Sequence, residues 1–156
     1  MSQSWTGRKT AARTEVRDMA YETRKAQYCY ATARNRAGTA AELLASLKEG
    51  GVSLLGFLGF PTKAGKAQID LVVENVAPIQ TIAKEQRWKL SKPKQCFVLQ
   101  GADEVGAVAE SMSALAAGDV NVVAAAAVAS GDGRYGLLLW VKKKDYNRAA
   151  KLLAAT

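Results

Sequence analysis

From residue 28 onward, runs of strand-forming residues alternate with runs whose apolar residues recur every three or four positions. Residues 28–33 (YCYATA) and 95–100 (QCFVLQ) are rich in aromatic, β-branched and small apolar side chains and predict strands. A polar turn follows each. Ala37, Ala40, Leu44 and Leu47 then fall on one helical face, as do Val105, Val108, Met112 and Leu115. Second strands are predicted at 53–60 and 121–130. Glycine-containing turns at 61–65 and 131–133 lead into third strands at 66–73 and 134–141, which makes each pair a hairpin. Second helices fit 78–86, with Pro78 in the first turn, and 145–154, with Asp145 as cap. A short fourth strand, 88–91, completes the first series only.

The two series are one pattern repeated. A shift of 68 residues lays Gly38 on Gly106, Glu42 on Glu110, Leu47 on Leu115, Gly50 on Gly118, Gly65 on Gly133 and Val73 on Val141. Each unit reads as βαββα(β), a ferredoxin-like repeat. The predicted fold is therefore α+β: two such repeats sharing an antiparallel sheet with helices on one face. The domain boundaries follow as a basic N-terminal arm at 1–24, repeat one at 25–91 and repeat two at 92–156, the latter without its last strand. The open sheet face needs a cover, and self-association or the N-terminal segment is expected to supply it.

Composition narrows the chemistry. The chain has 156 residues, of which 49% are apolar and 23% charged, the balance of a globular protein. It has no histidine, so the commonest general base and metal ligand is missing. Its two cysteines, Cys29 and Cys96, form neither a CxxC pair nor a disulfide framework, which agrees with a reducing cytoplasm. The formal charge of +8 is unevenly spread: residues 1–36 carry a net +5, 37–92 a net +2 and 93–156 a net +1. The basic excess is greatest at the N-terminal end, and within the arm Ala12, Val16, Met19 and Thr23 trace a weak helical face. Such an arm either solubilises the chain or binds nucleic acid. The Ala/Val-rich stretch 105–129 is interrupted by Glu110, Asp119 and Asn121, so no membrane span is expected.

The segment Asn35-Arg36-Ala37-Gly38 through Gly50-Gly51-Val52-Ser53, and its copy Asp103-Glu104-Val105-Gly106 through Gly118-Asp119-Val120-Asn121, resemble the ACT domain signature. That signature has an acidic or amide residue, then Pro-Gly, and later Gly-(Ile/Val)-(Asn/Ser). Ala37 and Val105 stand where the family has proline. The resemblance covers roughly residues 25–156 and implies a tandem ACT protein: a regulatory module that binds an amino acid or similar small molecule at a repeat or subunit interface. It also implies a homo-oligomer and a regulated enzyme or other protein acting in trans. The ligand-binding residues it implies are Asn35, Ala37, Gly38, Ser53, Asp103, Val105, Gly106 and Asn121. Helix N-termini there offer N–H groups to a carboxylate, and Asn or Asp can receive an ammonium. Each residue also has a purely structural reading. Gly38 and Gly106 let a helix pack closely, Asn35 and Asp103 cap helices, and Asn121 shapes a turn.

Other signals lead away from catalysis. Residues 131–136 match GxGxxG but lie between two strands rather than between strand and helix. The phosphate-loop-like spacing from Gly59 to Lys66 is one residue too long, and Ala67 replaces the required hydroxyl. No base is placed to activate either cysteine. The expectation is a non-enzymatic, cofactor-free small-molecule sensor with no metal and no membrane contact. The alternatives are a nucleic-acid-binding protein using its basic arm and a structural oligomer without ligand.

Overall fold

A computed structural model describes residues 21–156. The proposed helical face at Ala12, Val16 and Met19 lies outside them. The described chain runs β1 (Tyr21–Arg34), α1 (Thr39–Glu49), β2 (Gly56–Pro61), β3 (Lys66–Val73), α2 (Ala77–Glu85) and β4 (Lys89–Leu90). It continues with β5 (Lys94–Ala102), α3 (Ala107–Ala117), β6 (Val122–Ala129), β7 (Arg134–Val141), a 3₁₀ turn at Lys143–Asp145, and α4 (Tyr146–Leu152). The fold is α+β, as the repeat pattern predicts. One antiparallel sheet has the order β2-β3-β1-β5-β7-β6, and β4 also pairs with β1.

β1 is much longer than expected and joins the repeats. Its second half pairs with β3 from Gln27↔Val73 to Arg34↔Lys66. Its first half pairs with β5 from Tyr21↔Gly101 to Tyr28↔Lys94. β4 and β5 lie end to end along the same edge of β1, and Ser91 bridges the gap between them. There the Ser91 N–H donates to Tyr30 O at 2.9 Å, and the Tyr30 N–H donates to Ser91 Oγ at 3.0 Å. Residues 21–24, assigned to the arm on sequence, thus fill the fourth-strand position that repeat two lacks. Thr23 sits in this strand and not in a helix. The other edge of this segment holds Thr156, whose N–H donates to Thr23 O at 3.2 Å and whose carbonyl accepts from the Lys25 N–H at 2.9 Å.

Alternation along the strands sorts the core. Cys29, Ala31, Ile69 and Leu71 meet Leu43 and Leu47 of α1 and Ile79 and Ile82 of α2. Phe97, Leu99, Leu137 and Leu139 meet Leu115 of α3 and Tyr146, Ala149 and Leu153 from the C-terminal helix region, with Tyr21 among them. The opposite face is not left open. The sheet curls so that Leu55 and Leu58 of repeat one reach Leu138 and Trp140 of repeat two, over Ala26, Val72, Cys96 and Val98. This curl covers the middle of that face. β6 stays outside the cover, with Val123 and Val128 at 59% and 70% exposure.

The glycines at the ends of α1 and α3 have another purpose than the left-handed caps their position predicts. Gly50 and Gly118 have φ of −77° and −94°. A Cβ on Gly50 would collide with Ile82 Cδ1, and one on Gly118 with Leu152 Cδ1. Their smallness lets the second helix of each repeat approach the first. The left-handed positions are the next residues, Gly51 and Asp119.

Tyr21 is 5% exposed and anchors the borrowed strand in the core of repeat two. Tyr21→Ala is expected to cost about 3–5 kcal/mol, the usual range for deleting a buried aromatic. Urea unfolding of the variant measures this. A loss below about 1 kcal/mol would show that repeat two does not depend on the strand.

Candidate functional site

The loops that the repeat pattern singles out are built alike. The Asn35 N–H donates to Gly65 O at 2.9 Å, and the Asp103 N–H donates to Gly133 O at 2.9 Å. Each β–α loop is thereby tied to the tip of its own hairpin. Gly38 and Gly106 are the N-caps of α1 and α3, with φ of 89° and 83°. Few L-residues adopt that conformation, and this is what calls for glycine. A Cβ would meet nothing within 4 Å at Gly106 and only side-chain tips at 3.8–3.9 Å at Gly38, so close helix packing is not the reason. Asn35 and Asp103 do not cap: neither helix has a side-chain hydrogen bond at its N-cap.

Between each loop and hairpin lies a groove of about 300 Å³. The first is lined by Asn35, Arg36, Thr39 and Ala40 on one side and Phe60, Pro61 and Ala67 on the other. The second is lined by Asp103, Glu104, Ala107 and Val108, with Val128, Ala129 and Tyr135 opposite. The 68-residue shift carries one lining onto the other. Of the eight residues singled out on sequence, Asn35 lies in the first groove, and Asp103 and Gly106 lie in the second. Gly38 shapes the first loop from behind. Ala37 and Val105 are exposed in the loops without lining a groove, and Val105 is exposed throughout. Ser53 and Asn121 follow the far ends of α1 and α3. Eleven helical residues, about 16 Å, separate them from the loops, so the structure does not bring them to the grooves.

The two grooves share a backbone and differ in charge. In repeat one, Arg36 Nη2 donates to both Glu42 carboxylate oxygens at 3.0 and 2.8 Å. The same positions in repeat two hold Glu104 and Glu110, so a neutralised pair becomes two carboxylates beside Asp103. Tyr135 faces this acidic wall. It is 5% exposed and its hydroxyl has no hydrogen-bond partner among the described residues. Burial first, and Glu110 second, push its pKa above the usual 10. Sequence reading missed Tyr135. The signal was there, because the 68-residue shift sets it against Ala67, a large polar aromatic in place of a methyl.

Neither cysteine is poised as a nucleophile. Burial, with Asp70 adding to it, pushes Cys29 up to about 11 and Cys96 up to about 12, so neither thiol supplies a thiolate near neutrality. No group of three or more His, Cys, Asp or Glu among them could hold a metal ion. No described helix is long and apolar enough to cross a membrane.

No family profile and no curated protein matches the chain. Solved structures do. Protein BT0572 from Bacteroides thetaiotaomicron superposes with a TM-score of 0.72 at 14% identity, over 85% of this chain and 88% of that one. The regulatory subunits of aspartate kinase from Thermus flavus and Thermus thermophilus, the latter ligand-free, give TM-scores of 0.56 and 0.58. Both are 14% identical over 86% of this chain and 94% of theirs. The likeness is one of fold. It extends over both repeats.

An unpartnered buried hydroxyl adds nothing to the ligand-free fold. Tyr135→Phe should therefore melt within about 1 kcal/mol of the parent in the absence of ligand. Thermal or urea unfolding checks this, and a larger loss would mean that the hydroxyl already has a partner in the protein.

Proposed function

We propose that the chain is a non-enzymatic regulatory module that binds an amino acid in the groove of repeat two. The observation that carries this reading is the divergence of two grooves built on one backbone. Repeat two gathers Asp103, Glu104 and Glu110 around the N-terminus of α3 and the Tyr135 hydroxyl. A zwitterion suits that arrangement. Its ammonium is received by the carboxylates, and its carboxylate by the N–H groups of the first helical turn. Repeat one offers Arg34 and Arg36 at its groove, which disfavour an ammonium. The shared fold with regulatory subunits of aspartate kinase supports a regulatory role.

A thermal-shift screen against the twenty amino acids, followed by calorimetry, tests the proposal. One compound should bind with a stoichiometry of one per chain and raise the melting temperature. At a hundred times its dissociation constant it should add about 2.7 kcal/mol. Asp103→Ala should abolish the shift and Asn35→Ala should preserve it. Absence of any shift, or a shift that depends on Asn35 alone, would refute this assignment.

A second reading, a structural oligomer without ligand, is favoured by β6. This edge strand is VVAAAAVA, with no charge or proline to discourage pairing and exposed residues on both faces. A second copy adding through this edge would complete the sheet. Light scattering should then show a dimer without ligand, and Val128→Lys should make it a monomer. A monomer at every concentration would exclude that route.

A further inference from the structure

A larger cavity, of about 450 Å³, opens on the other side of the first β–α loop, between the end of β1, α1 and the turn joining α2 to β4. Its walls carry Arg34, Arg36, Arg87 and Lys89 against a single carboxylate, Glu42. Glu42 is already held by Arg36 at 2.8 Å. Among the described residues, Arg34, Arg87 and Lys89 have no ion pair. The half-buried Trp88 packs against the repeat-one core and forms a further wall.

Two features argue that these cations are placed for something other than the fold. The first is the backbone at Arg87. It closes α2, with the Trp88 N–H donating to Ala83 O at 2.8 Å, and it has φ of 55°. Glycine is the default for such a left-handed helix end, yet an arginine is held there with its side chain on the cavity wall. The second is the internal copy. The end of α4 closes in the same way, with the Ala155 N–H donating to Ala150 O at 2.8 Å, and its left-handed residue is Ala154. The counterparts of Arg34 and Arg36 are Ala102 and Glu104. The same backbone thus forms without the cations, so their convergence in repeat one is not required for folding.

We infer that this cavity is a binding site for a nucleotide-sized phosphate ester, with Arg34, Arg87 and Lys89 gripping the phosphates and the Trp88 indole walling a flat ring. Guanidinium forks match phosphate oxygens in pairs, and an anion relieves the mutual repulsion of the cations. An indole offers a stacking surface to a base. The volume lies within the range of small-ligand sites. The site is separate from the groove of repeat two and does not depend on the amino-acid proposal.

The test is calorimetry and tryptophan fluorescence on the full chain, with ADP, inorganic pyrophosphate and single-stranded RNA as probes. ADP should bind, more weakly as salt rises, and pyrophosphate should bind several-fold less tightly because it has no ring. Arg87→Gly removes the cation and suits the left-handed backbone. It should melt no lower than the parent while binding ADP at least tenfold more weakly. Arg34→Ala should weaken binding likewise, and Arg134→Ala should leave it unchanged. No ADP binding at millimolar concentration, undiminished binding by Arg87→Gly, or equal affinity for ADP and pyrophosphate would each overturn the inference. So would RNA binding at this cavity that ADP fails to displace.

Discussion

The structure depends on the backbone hydrogen bonding of β1. A strand has two edges, and every buried N–H and carbonyl along them needs a partner. Residues 21–28 give one edge to β5, and residues 27–34 give the opposite edge to β3. Ser91 and the short β4 satisfy what β5 does not reach, and Thr156 satisfies part of what β3 does not reach. Repeat two does not complete its sheet alone. Repeat two obtains its fourth strand from the start of the described chain, and Tyr21 carries that dependence into its core. The two repeats thus share one continuous hydrogen-bonded sheet.

The same joint explains the curl. Twisted strands paired across β1 bring the two outer hairpins toward each other on the face away from the helices. Leu55 and Leu58 then meet Leu138 and Trp140, and Gly56 is small enough to admit Leu138, whose Cδ1 lies 2.5 Å from where a Cβ would stand. Burial on both faces accounts for the nearly unbroken apolar run of β7, which alternation with one wet face would not produce. The cover ends before β6, and that strand keeps its apolar residues in solvent.

Repetition of one backbone with different side chains produces the charge asymmetry of the two grooves. The loop-to-hairpin tether and the left-handed glycine are preserved at both sites, which keeps two grooves of one shape. On that fixed frame Arg36 becomes Glu104 and Ala67 becomes Tyr135. The first groove is thereby bordered by arginines and the second by carboxylates, on the same backbone.

Periodicity and the 68-residue repeat were enough to reveal the elements, the α+β class and the loops that border the grooves, because each of these follows from side chains close in sequence. Asn35, Asp103 and Gly106 were legible for that reason. The motif groups Ser53 and Asn121 with them, but the rigid length of α1 and α3 carries these two to the other end. Tyr135 was marked in the sequence only by its contrast with Ala67, and Arg87 was silent because what distinguishes it is a left-handed helix end. The local sequence determined what each segment is. Only the tertiary structure decided that residues 21–24 complete repeat two and that the sheet covers its own face, since both result from pairing between segments some eighty residues apart, where strand edges compete for partners and no local pattern records the winner.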